Sequence, residues 1–560
     1  MKRSLLSRVL AIMMVLALAM TCMVACKKPA EESKEESVEE KQLVKLSFYT
    51  NGSDSEAATK VWAYLNEYLA ATDAKVEIEP HYVAPGEYGQ TLSNLLAAGT
   101  TQLDVVYSTI GGLDLQANAN AEVFAPLNDV IKTYGKGILD TCPSFGLDSC
   151  TVNGILYGVP TMKEWGNVYA VIFNTDVLKH IGMYDKAMSQ KWNTMVDWEN
   201  FFYELKAARD ADTTYGKTMK FDSYAYFNGA FTSEASEEYK AFMADNGLAA
   251  LKNAGLFDHW DGGADLFDQV CNWWVLDDIA CKGIGVNVPE WNFFSGKKAN
   301  QVFNAFATDE YANVVATIDK WAKDGLFKNY SDDEAGLGSF YVSMKGDLLQ
   351  GVGATCGQLS IGWNNNLGAA TTTLFTAECV PSEVRFATRS GCQGAVMTIA
   401  YCSKNIERSM EYLNLLYTDQ TIIDTFRLGI EGVHWNKTAD GRAEFTEIGG
   451  PSGEGWYNWY GVNYGGNFLA CTVPTTQAAD VLVQLASCSK IAAPSCGWDF
   501  DTTDFDGELS AMANTVGIYL TQLQEGQCAD YTATLAEFLD KLAADGVDKV
   551  MAGYQAQIDK

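Results

Sequence analysis

The chain has 560 residues, a formal net charge of −31, 14 cysteines and four histidines. Such acidity excludes nucleic acid and anionic lipid surfaces as broad partners, because both require a basic face. The length exceeds what one hydrophobic core covers, so two or more lobes are expected.

The first element in chain order is a basic start (Lys2, Arg3, Arg8), an apolar run from Val9 to Met20, then Met23-Val24-Ala25-Cys26. That is the layout of a secretory signal peptide. The run is shorter than the roughly 20 residues a membrane-spanning helix needs. The segment resembles a bacterial lipoprotein signal, whose final cysteine is acylated and becomes the first mature residue. Met23 stands where leucine is usual. The resemblance implies a signal at 1–25, lipidation at Cys26, and anchorage on the extracellular face of the cytoplasmic membrane. Residues 26–42 then form a flexible linker, because Lys27–Lys41 (KKPAEESKEESVEEK) has too little apolar surface to offset the entropy of ordering. Fully extended, that leash spans at most roughly 50 Å. Loss of Lys2, Arg3 and Arg8 with the signal takes the charge from −31 to −34 and leaves about 535 residues.

From Leu43 the pattern is strand, helix, strand, helix, strand. Val44, Leu46 and Phe48 alternate with Lys45 and Ser47, a period-two strand face. Asn51–Ser55 offers N-caps to a helix whose stripe is Ala58, Val61, Trp62, Leu65, Tyr68 and Leu69. Val76 and Ile78 start a second strand, Leu92, Leu95 and Leu96 mark a helix ending at Gly99, and Leu103–Tyr107 is a third strand. Helices of this length between strands imply parallel crossovers and a doubly wound α/β sheet. Ligands of such sheets sit beyond the carboxyl ends of the strands, which makes Tyr49, Asn51, Tyr107 and Ser108 candidate ligand contacts.

Twelve cysteines follow Cys26, an even number that permits disulfides outside the cytoplasm. Cys142/Cys150, Cys271/Cys281 and Cys392/Cys402 are close enough in sequence for local pairing, yet spacing leaves connectivity open and free thiols equally compatible. No CxxC occurs, and His81, His180, His259 and His434 lack metal-ligand spacing, so neither metal nor cofactor is expected.

Further motifs carry a resemblance. Asn153–Pro160 (NGILYGVP), Val171–Leu178 (VIFNTDVL), Trp192-Asn193-Thr194, and Ser403-Lys404-Asn405 before the helix Glu407–Tyr417 stand in the order found in family 1 extracellular solute-binding proteins. Those are lipid-anchored or periplasmic receptors of ABC sugar importers. Leu428–Trp435 (LGIEGVHW) is similar to a segment of the LplA/LipO-like subfamily. Gly497–Asp501 and Asp540–Val550 resemble that subfamily's DUF3502-type C-terminal domain. Phe173 replaces the usual tyrosine and Ile406 the usual proline, and 209–300 matches least.

The resemblance implies a type II periplasmic-binding-protein fold, two doubly wound lobes around an interlobe cleft. Lobe one would comprise 43–162 and 389–440, lobe two 163–388 and 441–560, with 490–560 the DUF3502-like region. Tyr157–Pro160 reads as the first hinge, since residues before proline avoid helix. The implied function is a substrate-binding lipoprotein that captures a carbohydrate, an oligosaccharide first of all, for a permease with a separate ATPase. A monomer is expected. Alternatives are the same role for a peptide or other solute, a secreted carbohydrate-active enzyme, or an adhesin.

A sugar site needs flat rings beside amides and carboxylates. Among the 14 tryptophans, Trp62 and Trp321 lie on helices and read as core. Trp165, just past the hinge, fits stacking or packing equally. Trp363 with Asn364 lies in a Gly-flanked turn, and Trp456, Trp459 and Tyr460 occupy the Gly-rich stretch 449–466. Glu431 is a candidate contact, with bracing of its turn the favoured alternative. No carboxylate pair stands out for glycosidase chemistry, and Asp504-x-Asp506-Gly507 lacks the first and last ligands of a calcium loop.

Overall fold

The computed structural model describes residues 41–560 except 100, 110–111, 167, 212–225, 228–229, 232–256, 259–275, 292, 329–353, 360–376, 452, 454, 460, 499, 525 and 527. Cys26, Trp363, Asn364 and Tyr460 therefore lie outside the described residues, as do the signal segment and most of the linker. The chain divides into two units, Met1–Gln42 and Leu43–Lys560, and the second carries every element below.

Strand β1 (Val44–Asn51) is buried from Leu46 to Thr50, because helices cover both faces of its sheet. Helix α1 (Glu56–Ala71) starts at Ser55, whose Oγ accepts the Ala58 N–H at 3.0 Å. It buries Ala58, Val61, Trp62, Leu65 and Leu69, the stripe that its sequence spacing defines. Strand β2 (Val76–Val83) pairs parallel with one side of β1. Helix α2 (Pro85–Ala98) ends at left-handed Gly99, and β3 (Val105–Ser108) pairs parallel with the other side of β1. Strand β4 (Gly158–Pro160) leads out to β5 (Val168–Asn174), which is flanked antiparallel by β6 (Ala354–Leu359) and β7 (Ala377–Pro381). The chain returns as β8 (Val396–Ile399), antiparallel to both β3 and β4, giving the order β2-β1-β3-β8-β4. This strand departs from a purely parallel sheet because it enters from the opposite end, coming back from the second sheet.

Helices α3 (Ile406–Thr418) and α4 (Gln420–Leu428) close the first sheet. Asp104, fully buried at the start of β3, ties the pieces together. Its Oδ2 accepts the Ser47 N–H at 2.9 Å and the Gln102 amide at 3.2 Å. Its Oδ1 accepts the Ser403 hydroxyl at 2.6 Å and the Asn405 amide at 3.2 Å. The Ser-Lys-Asn motif before α3 thus has a physical purpose: it docks the returning chain on the β3 carboxylate.

Arg427, buried on α4, donates to the Gly461 carbonyl and, at 2.7 Å, to the Gly465 carbonyl. The stretch 461–468 thereby packs on the first sheet, although the sequence reading groups 441–560 with the second lobe. Thr50 Oγ1 donates to the Asn463 carbonyl at 2.9 Å, and the Met162 N–H donates to the Gly466 carbonyl at 2.9 Å.

Among the described residues two segments join the sheets, 161–166 and 382–395. Gly158–Pro160 is still paired with β8, so the first crossing begins at Thr161. The crossings touch backbone to backbone. The Thr388 N–H donates to the Trp165 carbonyl at 3.0 Å, and a Cβ at Gly391 would stand 1.8 Å from that oxygen. A Cβ at Gly166 would stand 2.0 Å from the Phe386 carbonyl oxygen. Residues 491–493 run alongside, with Ala387 N–H to Ile491 O and Ala493 N–H to Ala387 O both 2.7 Å.

The C-terminal helices α5 (Asp506–Gln524), α6 (Tyr531–Asp545) and α7 (Val547–Ile558) bury Met512, Leu520, Phe538, Leu542, Val550 and Tyr554. Asp277, on the strand Leu276–Ala280, fixes the entry to this region by accepting the Ser495 N–H and, at 2.7 Å, its hydroxyl. Burial pushes the Asp277 carboxyl up to about 6 against the opposing pull of those bonds. A carboxyl raised in the folded state favours folding most when protonated. Its contribution is greatest below the unfolded value of about 3.9, declines as pH rises through about 6, and is flat above. Urea midpoints should therefore fall across this window by the equivalent of about 2–3 kcal/mol from this group. Asp277→Asn should remove that fall, and an unchanged pH profile in the variant would contradict the assignment.

Candidate functional site

Register places the carboxyl ends of β1, β3 and β4 and the start of β8 on one edge of the first sheet, since Val396 opposes both Ser108 and Pro160. At this edge Asn463 Nδ2 donates to the Asn51 carbonyl at 2.9 Å and to Thr50 Oγ1 at 3.1 Å. Thr109 Oγ1 donates to the Gly394 carbonyl at 2.7 Å, and Thr161 Oγ1 to the Val462 carbonyl at 3.1 Å. Lys163 and Glu164 follow on the first crossing as an ion pair 3.5 Å apart, their side chains only 13% and 7% exposed. Such sheltering strengthens the pair's field compared with a solvated pair. Thr50 and Thr161 are fully buried and spend their hydroxyls on these carbonyls, whereas Asn51, Thr109, Lys163 and Asn463 stay partly exposed, with amide, hydroxyl and ammonium groups of the kind that hydrogen-bond a polyol.

Of the residues singled out from sequence, Asn51 is half-buried on this edge and Ser108 is fully buried there, its hydroxyl donating to the Leu113 carbonyl at 2.6 Å. Tyr49 and Tyr107 are buried, and the Tyr88 hydroxyl links their two carbonyls at 3.1 and 2.7 Å. The Tyr49 ring stacks on His81 with centroids 4.4 Å apart, and burial, with Glu79 nearby, raises its phenol. Trp165 is buried between the crossings, with Nε1 donating to the Thr161 carbonyl at 2.8 Å and its ring edge-on to Phe145. Trp456 donates Nε1 to the Phe426 carbonyl at 3.0 Å and packs beside Tyr464; Trp459 sits edge-on to Phe468. Glu431 is exposed in a turn that His434 and Trp435 close. The Ile430 N–H donates to His434 Nδ1 at 2.8 Å, and Trp435 Nε1 donates to the Gly429 carbonyl at 3.0 Å.

Sequence reasoning missed Thr50, Thr109, Thr161, Lys163, Glu164 and Asn463. Thr50 and Thr109 adjoin named strand-end residues, and Lys163-Glu164 lies just beyond Pro160, so the strand-end rule extended by a few positions finds them. Nothing local marks Asn463, which reaches the edge only through the Arg427 anchor. Among the described residues no group of three or more His, Cys, Asp or Glu could hold a metal ion. Among them, too, no helix is long and apolar enough to cross a membrane.

Residues 494–560 match the family described as "Domain of unknown function (DUF3502)". A carbohydrate ABC transporter substrate-binding protein of Streptococcus pneumoniae serotype 4 is 30% identical over 179 residues, which cover 30% of this chain and 34% of that protein. The alignment thus spans about a third of the relative's length. The N-glycan transport solute binding protein (NgtS) from Streptococcus pneumoniae superposes with a TM-score of 0.65 at 18% identity, over 92% of this chain and 98% of that one. In complex with Man1GlcNAc it superposes at 0.53 and 18% identity, over 92% and 99%. An extracellular solute-binding protein from Bifidobacterium longum subsp. infantis gives 0.52 at 14% identity, over 92% and 98%.

Two sheets joined by paired crossings, with a polar strand-end edge beside them, define a type II periplasmic-binding-protein fold. Residues 494–560 carry the DUF3502 domain, and the fold is the one seen in extracellular solute-binding proteins.

Proposed function

We propose that the protein is the extracellular receptor of an ABC importer, capturing an oligosaccharide between its lobes and delivering it to a membrane permease driven by a separate ATPase. The 30% identity with a carbohydrate ABC transporter substrate-binding protein carries this reading. The partly exposed Asn51, Thr109, Lys163 and Asn463 on the polar edge would supply hydrogen-bonding groups for sugar hydroxyls. Ligand affinity for the closed arrangement would drive closure. Cys26 would hold the receptor at the membrane through lipid. Intact mass of the mature protein should show an acylated N-terminal Cys26, and an unmodified N-terminus would remove the anchor.

A thermal-shift screen against glycans and peptides tests the receptor itself. Stabilisation by an oligosaccharide, without its turnover, is the expected result. Stabilisation by peptides alone would transfer the same receptor to another solute, and glycan hydrolysis would make it an enzyme.

A further inference from the structure

Two cysteines distant in sequence meet where the second crossing touches the start of the DUF3502 region. Cys392 lies in the short helix Arg389–Gln393, and Cys496 lies in the turn Pro494–Gly497; both are buried. Residues 387–396 and 491–497 are bound along their length. Ala387 and Ala492 form a parallel bridge, and Cys496 Sγ donates to the Ala387 carbonyl at 3.5 Å. Ser149 and Gln393 close the other side. The Ser149 hydroxyl donates to the Cys496 carbonyl at 3.2 Å, and the Gln393 amide donates to the Ser149 carbonyl at 2.7 Å. In this frame the short helix carrying Cys392 packs on the turn carrying Cys496, and both are free thiols whose side chains influence each other.

We propose that Cys392 and Cys496 form a disulfide in the mature protein, stapling the second interlobe crossing to the start of the C-terminal domain. The local pairs suggested by sequence spacing fit less well. Cys392 and Cys402 flank β8, whose four residues separate them by about 13 Å, beyond the roughly 7 Å Cα limit for a bridge. Cys142 and Cys150 stand at opposite ends of the helix Ser144–Ser149, about 9 Å apart along its axis. Cys271 lies outside the described residues. Cys150 lies close enough to Cys496 to influence it electrostatically and is the competing partner.

The bond forms by thiol–disulfide exchange as the chain folds, with one of the two thiolates, taken as Cys496, attacking first. Its sulfur displaces one thiolate from a small disulfide oxidant such as oxidised glutathione, forming a mixed disulfide. The Cys392 thiolate then attacks the Cys496 sulfur and releases the second glutathione. The two cysteines lose two protons and two electrons, and the oxidant takes up both. Because both sulfurs are buried in the folded chain, the bond forms during folding. It closes a loop of about 100 residues, the range in which the entropic constraint on the unfolded state is large.

In the cell the bond needs an oxidising compartment and so rests on the extracellular placement proposed above. A refolding test does not, and its failure would count against the disulfide alone. Full-length chain, reduced and unfolded, is refolded in a buffer of reduced and oxidised glutathione, alkylated in denaturant, and mapped by mass spectrometry without reduction. The expected product is a linked peptide pair joining Cys392 to Cys496, lighter by two hydrogens than the two free peptides. Reduction should then lower the melting temperature by a few degrees. The double variant Cys392→Ala/Cys496→Ala should melt identically with and without reductant. Alkylation of both cysteines, or a link from either one to Cys150, would overturn the proposal; the mapping needs no variant to fold.

Discussion

Asp104→Ala should lower the stability of the folded body by about 3 kcal/mol, because it strips acceptors from several buried donors at once. The carboxylate serves the Ser47 N–H, the Gln102 amide, the Ser403 hydroxyl and the Asn405 amide. These groups belong to β1, the approach to β3 and the approach to α3, so their loss loosens the frame of the first sheet rather than one loop. Asp104→Asn should cost about half as much, since its single carbonyl oxygen can serve one side of the network while its NH2 group confronts donors on the other. Urea unfolding followed by tryptophan fluorescence measures both variants. Midpoints equal to that of the parent would remove Asp104 from its organising role.

Gly391→Ala is expected to damage both stability and ligand binding. The added methyl would lie 1.8 Å from the Trp165 carbonyl oxygen and 2.7 Å from its carbon, and backbone at such range cannot rotate away. The crossings must separate, breaking the Thr388–Trp165 hydrogen bond and shifting Lys163 and Glu164, two and one positions before Trp165. Overpacking of this kind costs about 1–3 kcal/mol. The crossings also set how the two sheets approach one another, so affinity for the ligand should fall at least about tenfold, equivalent to about 1.4 kcal/mol. Calorimetry at a temperature where the variant is still folded separates the two effects. Parental affinity in a destabilised variant would mean that the crossings hold the fold without tuning closure.

The region 44–108 was legible because local signals agree there. Alternation in β1, the Ser55 cap and the α1 stripe of Val61, Trp62 and Leu65 all point to one arrangement. The direction of β8 was not, because a four-residue apolar run carries no record of which edge it enters from. Motif order placed the return at Ser403-Lys404-Asn405, and its physical basis, the Asp104 carboxylate, appears only in three dimensions. The aromatic stretch 456–464 shows why composition alone leaves a site half drawn. Its rings signal a large contact area, but Trp456 and Tyr464 meet Phe426, Phe48 and Trp62 through packing that sequence spacing does not encode. The strand-end rule names this edge yet does not say which side chains along it point outward. Tyr49 and Tyr107 are buried with their carbonyls held by the Tyr88 hydroxyl, whereas Asn463 arrives from more than 400 residues away.

Titration calorimetry of the purified protein tests most directly the proposal that it closes on an oligosaccharide. Mannose- and N-acetylglucosamine-containing oligosaccharides and a set of other glycans are titrated in parallel with peptides. Saturable, one-to-one binding of at least one oligosaccharide with a Kd in the micromolar range or tighter, about −8 kcal/mol, is the predicted result. Heat from a peptide with none from any glycan at millimolar concentration would contradict it.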